Sequence, residues 1–134
     1  MEESFDPQAH LKEISQGLFN RVAEHLLKQN QRSLLPSGKC AYYGVGGLRC
    51  ALGCLVTEGS YSPSIEGNGI GTPAVDKALQ QSGVPFYSPV VALLEDLQGI
   101  HDIWQPDTWP LKLGEIATKY GLSAVAVDAF RCQP

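Results

Sequence analysis

The run Cys40-Ala-Tyr-Tyr-Gly-Val-Gly-Gly-Leu-Arg-Cys-Ala-Leu-Gly-Cys-Leu55 constrains the fold more than any other stretch of this chain. It holds three of the four cysteines and four of the fourteen glycines. Neither a helical nor a strand period fits the whole of it. So many small residues in one place call for close backbone packing between neighbouring elements. Cys40 to Tyr43 reads as a short strand, with Gly44 to Gly47 as its turn. For residues 48–56 two patterns compete. Leu48, Cys50, Leu52, Cys54 and Val56 would form one face of a strand, and Leu48, Ala51, Leu52 and Leu55 a helical stripe. Thr57-Glu-Gly59 offers a helix stop, which favours the helix, although Gly53 costs a helix about 1 kcal/mol relative to Ala.

The flanking chain is easier to read. Asp6-Pro7 supplies an N-cap and a first-turn proline. Leu11, Ile14, Leu18, Val22 and Leu26 then recur every three or four residues, as an amphipathic helix ending near Asn30. Pro36-Ser-Gly38 marks a turn, and Ser60 to Gly71 reads as loop. Thr72-Pro73 opens a short helix that Gly83 ends. Ser88-Pro89 opens another, with Val90, Leu93, Leu94, Leu97 and Ile100 on its apolar face, and Pro106 ends it. Trp109-Pro110 starts a helix through Leu113, Ile116 and Tyr120, closed by Gly121. Ser123 caps a last helix carrying Ala126, Val127 and Phe130. The expected architecture is mainly α: one compact domain, residues 1–134, of about five or six helices, with room for a short β-like segment near residues 40–50. Residues 1–6 are expected to form a flexible N-terminus.

Several function classes are disfavoured by composition. Net charge is -4 at pH 7 and the ten basic residues are scattered along the chain, whereas a nucleic-acid backbone needs clustered Lys and Arg. No apolar run is long enough to cross a membrane. The acidic start, Met-Glu-Glu-Ser-Phe-Asp, lacks the basic and apolar regions of a signal peptide, so a cytoplasmic location with reduced thiols is expected. Ala117 to Val127 has the spacing of a helix-turn-helix, but its second helix is apolar where base reading needs polar and basic side chains. That apolar helix suggests a core or subunit contact, hence a homo-oligomer.

The cysteines raise two chemical readings. Cys40, Cys50 and Cys54 could hold a structural metal, with His25, His101 or Cys132 completing the set. Zinc sites, however, usually show two tight ligand pairs, and only Cys50 and Cys54 are close here. A thiol hydrolase or transferase would use Cys50 with His101 as its base. Asp102 is expected to be badly placed to orient His101, because neighbours on a helix point about 100° apart. Free cysteines that pack as small hydrophobes are the simpler reading. His10 is expected to be solvated, and His25 to border the apolar stripe. Gly44-Val-Gly-Gly47 matches no phosphate-loop or dinucleotide motif, so no cofactor is expected, although an anion beside Arg49 at a helix start would be chemically sound.

Taken in order, Cys40-Ala-Tyr, Gly47-Leu-Arg-Cys-Ala-Leu-Gly-Cys-Leu-Val56, Tyr61, Glu66-Gly67, Leu97-Gln-x-Ile-His-Asp102 and Trp109 resemble a family of small uncharacterised proteins encoded by bacteriophages and bacteria. The resemblance runs from about His25 to Leu122. The chain departs from the pattern in having Tyr43 and a Gly-rich turn where a basic residue and a more polar turn are expected. The resemblance implies a phage or bacterial origin, and an accessory protein of that origin is expected to act without catalysis, by binding a host protein, for example of a defence system, or by sequestering a small anionic ligand such as a nucleotide. The candidate contacts are then Tyr43, Arg49, Glu66, His101, Asp102 and Trp109. A Cys50–His101 enzyme and a metal-stabilised module are the alternatives.

Overall fold

The structure, a computed structural model, describes residues 6–131. The expectations for residues 1–5 and for Cys132 lie outside the described residues. Five helices carry the fold: α1 (Pro7–Gln29), α2 (Pro73–Gln81), α3 (Ser88–Ile103), α4 (Trp109–Tyr120) and α5 (Val125–Arg131). Their boundaries follow local chemistry. Asp6 Oδ1 accepts from Gln8 N at 3.0 Å to cap α1, and Asn30 ends it in the left-handed conformation, φ 50°. At Gly121, φ 66°, the chain leaves α4 in the same way, and Leu122 N donates to Ala117 O at 2.8 Å, the wrap-around bond of a glycine-terminated helix. α3 begins one position earlier than a Ser88 cap would allow, with Tyr87 in the cap position and no side-chain cap.

The core lies where α1, α3 and α4 meet. Phe19, Val22 and Leu26 of α1 pack with Leu93, Leu94 and Leu97 of α3 and with Leu113 of α4, all fully buried. α5 packs on α1 and α4. Its Val127 is buried, while Val125 stays exposed. Of the apolar face that suggested a subunit contact, Val127 is thus covered from within the chain, while Val125 and Ala129 face outward. The turn between α4 and α5 is tied to α1 by a reciprocal pair: Ser123 N donates to Gln16 Oε1 at 2.7 Å and Gln16 Nε2 donates to Ser123 O at 3.0 Å. Among the described residues, no helix is long and apolar enough to cross a membrane.

Residues 48–56 depart from the helix expected of them. Cys50 to Val56 form a series of turns in which Cys54 N reaches Cys50 O and Val56 N reaches Leu52 O, but the intervening helical bonds are missing. Other groups satisfy these amides. Leu52 N donates to Gln98 Oε1 at 3.0 Å, Gly53 N to Cys50 Sγ at 3.3 Å and Cys50 N to Tyr42 O at 3.4 Å. The β-like element expected at 40–50 reduces to two isolated antiparallel bridges, Leu34 with Cys40 and Tyr43 with Arg49. The irregular segment therefore lies against residues 33–43 and the C-terminal half of α3.

Candidate functional site

The six residues singled out from sequence fall into two groups. The first is a brace. Glu66 accepts from Tyr42 N at 2.8 Å, Tyr43 N at 3.2 Å and Tyr61 Oη at 2.8 Å. Tyr43 and Tyr61 stack with centroids 4.0 Å apart and planes 3° apart. The Arg49 guanidinium lies 3.9 Å over the Tyr43 ring and pairs with Glu58 at 3.2 Å. The Arg49 backbone is held as well: its N–H donates to Gln29 Oε1, and its carbonyl accepts from Gln29 Nε2 and His25 Nε2. Tyr43, Arg49 and Glu66 thus spend their polar groups fixing the irregular segment. Burial and the bond to Glu66 push the Tyr61 hydroxyl up to about 12.

The second group is built around Asp102. His101 is fully buried, its ring stacked at 5.8 Å on that of Trp109, whose Nε1–H donates to Trp104 O at 3.1 Å. Ser33 N donates to His101 Nε2 at 2.8 Å. Nε2 must therefore carry the lone pair, so the proton sits on Nδ1 and is donated to Asp102 Oδ1 at 2.8 Å. This contact corrects the expectation that Asp102 is badly placed to orient His101. The 100° rule governs where Cβ atoms point, and on the last turn of α3 the two side chains swing together at their tips. Gln98 Nε2 donates to the same oxygen at 2.9 Å, while its own carbonyl is held by Leu52 N. Burial raises the Asp102 pKa, but hydrogen bonds from His101, Gln98 and Cys40 outweigh it, so the carboxyl stays below its ordinary range.

A cavity of about 250 Å³ opens on this carboxylate, lined also by Cys40, Tyr42, Gln98 and residues 67–69. The Asp102 side chain is 38% exposed. Gln98 and Asp102, one helical turn apart within the Leu-Gln-x-Ile-His-Asp motif, were legible as a same-face pair. Their meeting with Cys40 and Asn68 was not.

The thiols are disposed differently from the metal and enzyme readings. Among the described residues, the group close enough to share an ion is Cys40, His101 and Asp102, with ligand atoms within 4.8 Å of one another. It is not the trio of Cys40, Cys50 and Cys54. Ligation by His101 Nδ1 would leave Nε2 protonated and facing the Ser33 N–H at 2.8 Å, donor against donor, so this group does not suit a metal as it stands. Cys50 is buried in the core, its thiol pushed up to about 12 by burial. The His101 ring nitrogens meet Ser33 and Asp102 rather than a thiol. Cys40 is pushed up to about 11, by burial first and then by the charge and hydrogen bond of Asp102, with Arg32 opposing.

This ordering has a measurable consequence. Cys40 should be alkylated by iodoacetamide at pH 7 roughly a hundredfold more slowly than an ordinary thiol, since two pKa units remove that much thiolate. The rate should climb about tenfold per pH unit until pH nears the thiol pKa. Asp102→Asn should accelerate it. Peptide mapping that found Cys50 labelled first at neutral pH would restore the enzyme reading. No family model, curated protein or solved structure matches the chain.

Proposed function

We propose that this chain is a non-catalytic binding protein whose cavity at Asp102 receives a protonated nitrogen group, a guanidinium or ammonium, presented by a partner protein. The carrying observation is the Asp102 carboxylate, the only charged group on that cavity wall among the described residues. A carboxylate offers about four acceptor positions. His101, Gln98 and Cys40 use three, and part of the side chain is exposed. A small anion would meet repulsion there. The volume falls below the roughly 300–1,000 Å³ of ordinary ligand pockets, which suits a side-chain tip better than a whole cofactor. Tying up both nitrogens of His101 and keeping the thiols neutral removes the usual base and nucleophile. An accessory protein of phage or bacterial origin that engages a host protein, as the sequence resemblance implies, fits this chemistry.

The test is a titration followed by amide NMR, using methylguanidinium and N-acetyl-arginine amide with acetate as the anionic control. Saturable shifts are expected at Gly67 to Gly69 and at the Gln98 side chain. Asp102→Asn keeps the size of the side chain and should weaken binding about ten- to a hundredfold, the value of a charge-assisted hydrogen bond. Equal affinity in wild type and Asp102→Asn would remove the proposal.

A further inference from the structure

We propose that the face of α1 formed by Arg21, His25 and Lys28 over Cys54 is a second site, independent of the Asp102 cavity, that takes a linear di- or triphosphate. The three basic residues are spaced four and three apart, which puts them on one stripe of the helix. They line an open cleft of about 310 Å³ with Glu24 and Cys54. Arg21 and Lys28 are exposed. The ion pairs formed among the described residues are Arg49–Glu58, His101–Asp102, Lys112–Glu115 and Lys119–Asp96, so both cations remain uncommitted even though Glu24 lies between them. The floor adds no negative charge, because burial pushes the Cys54 thiol up to about 12. The positive charges of Arg21 and Arg49 both act at that thiol, against the burial effect. Two exposed cations, set against the one carboxylate of Glu24, thus line this cleft on a chain whose net charge is -4.

His25 makes the site responsive. Its Nε2–H donates to Arg49 O at 2.8 Å, so in the neutral ring Nδ1 carries the lone pair, and on protonation it becomes a further donor. Burial holds the His25 pKa below its ordinary value, the Arg49 carbonyl opposes this, and the charge of Arg49 lowers it further. A bound polyanion adds the missing negative charge and raises it. Arg21 and Lys28 stand about 10 Å apart along the axis at 1.5 Å per residue. Linked phosphates carry more charge and reach further between the two side chains than a single tetrahedral phosphate does.

The experiment titrates the protein with inorganic tripolyphosphate, pyrophosphate, monophosphate and acetate at constant ionic strength, following the His25 ring by NMR. The expected result is saturable binding of tripolyphosphate and pyrophosphate below about 1 mM, with the His25 titration moved to higher pH. The double variant Arg21→Ala/Lys28→Ala should weaken it at least roughly tenfold. Glu24→Gln should strengthen it, and Lys77→Ala on α2 should leave it unchanged. ATP binding more tightly than tripolyphosphate would identify a nucleotide as the source, and equal affinity a free polyphosphate. Acetate or monophosphate matching tripolyphosphate, undiminished binding by the double variant, or no saturable shift up to about 10 mM would each overturn the site. Asp102→Asn should leave this binding intact, so the two sites can fail separately.

Discussion

Gly53→Ala is expected to destabilise the protein by about 3 kcal/mol, near the upper end for overpacking a closed site. A Cβ at Gly53 would stand 2.1 Å from Tyr42 O and 2.8 Å from Tyr42 C. Both are backbone atoms, so no rotamer change relieves the clash. Tyr42 cannot readily withdraw, because its N–H is held by Glu66 and its hydroxyl donates to Asn68 O at 2.6 Å. For a domain of this size the melting temperature should fall by roughly 10 °C. The damage should extend to the Asp102 cavity, since Leu52 N–H, next to Gly53, orients Gln98. Gly114→Ala is the contrast: it lies within α4 with nothing within 4 Å of its added methyl, and should stabilise by about 0.5–1 kcal/mol. Thermal denaturation that placed Gly53→Ala within 1 °C of wild type would show that the two segments are not packed as described.

The helices were legible because their signals are local. Asp6-Pro7, Thr72-Pro73 and Gly121 act within one turn of their own positions, and the apolar stripes of α1 and α3 need only a period of 3.6. Residues 48–56 were not legible for the opposite reason. Their helical bonds lose to partners supplied from a distance, with Gln98 lying 46 residues beyond Leu52, and nothing in the local pattern announces that competition. Gly53, read as a tax on a helix, instead marks where one backbone presses against another.

The same division runs through the sites. His101, Asp102 and Trp109 were named from the chain, but their arrangement depends on Ser33 N–H, a backbone donor with no sequence signature. Arg49 and Glu66 were named for ligand contact, yet their partners lie within the fold. Arg21, His25 and Lys28 carried a readable signal, one helical stripe, hidden by weighing the basic residues as scattered charges rather than by helix face.

Trp109→Ala should cost about 3–5 kcal/mol, the usual range for emptying a buried Trp site. The indole is fully buried and stands at the first position of α4. It covers one face of the His101 ring, and its Nε1–H is the donor that meets Trp104 O just past the end of α3. Removing it leaves a void beside a buried imidazole whose two nitrogens hold Ser33 and Asp102. Water entering there would compete for both hydrogen bonds, so the effect should reach beyond lost packing. Trp109→Phe keeps a ring against His101 but loses the hydrogen bond and some volume, and should cost roughly 1–2 kcal/mol. Urea denaturation reads the stabilities. Long-range nitrogen–proton NMR of the His101 ring reads the tautomer, expected as Nδ1–H in wild type and in Trp109→Phe but mixed in Trp109→Ala. Combining Trp109→Ala with Asp102→Asn should cost less than the sum of the two, because the first change already loosens the ring that Asp102 holds. Strict additivity, or stabilities for the Ala and Phe variants within 0.5 kcal/mol of each other by the usual spread for independent sites, would mean that Trp109 packs without positioning His101.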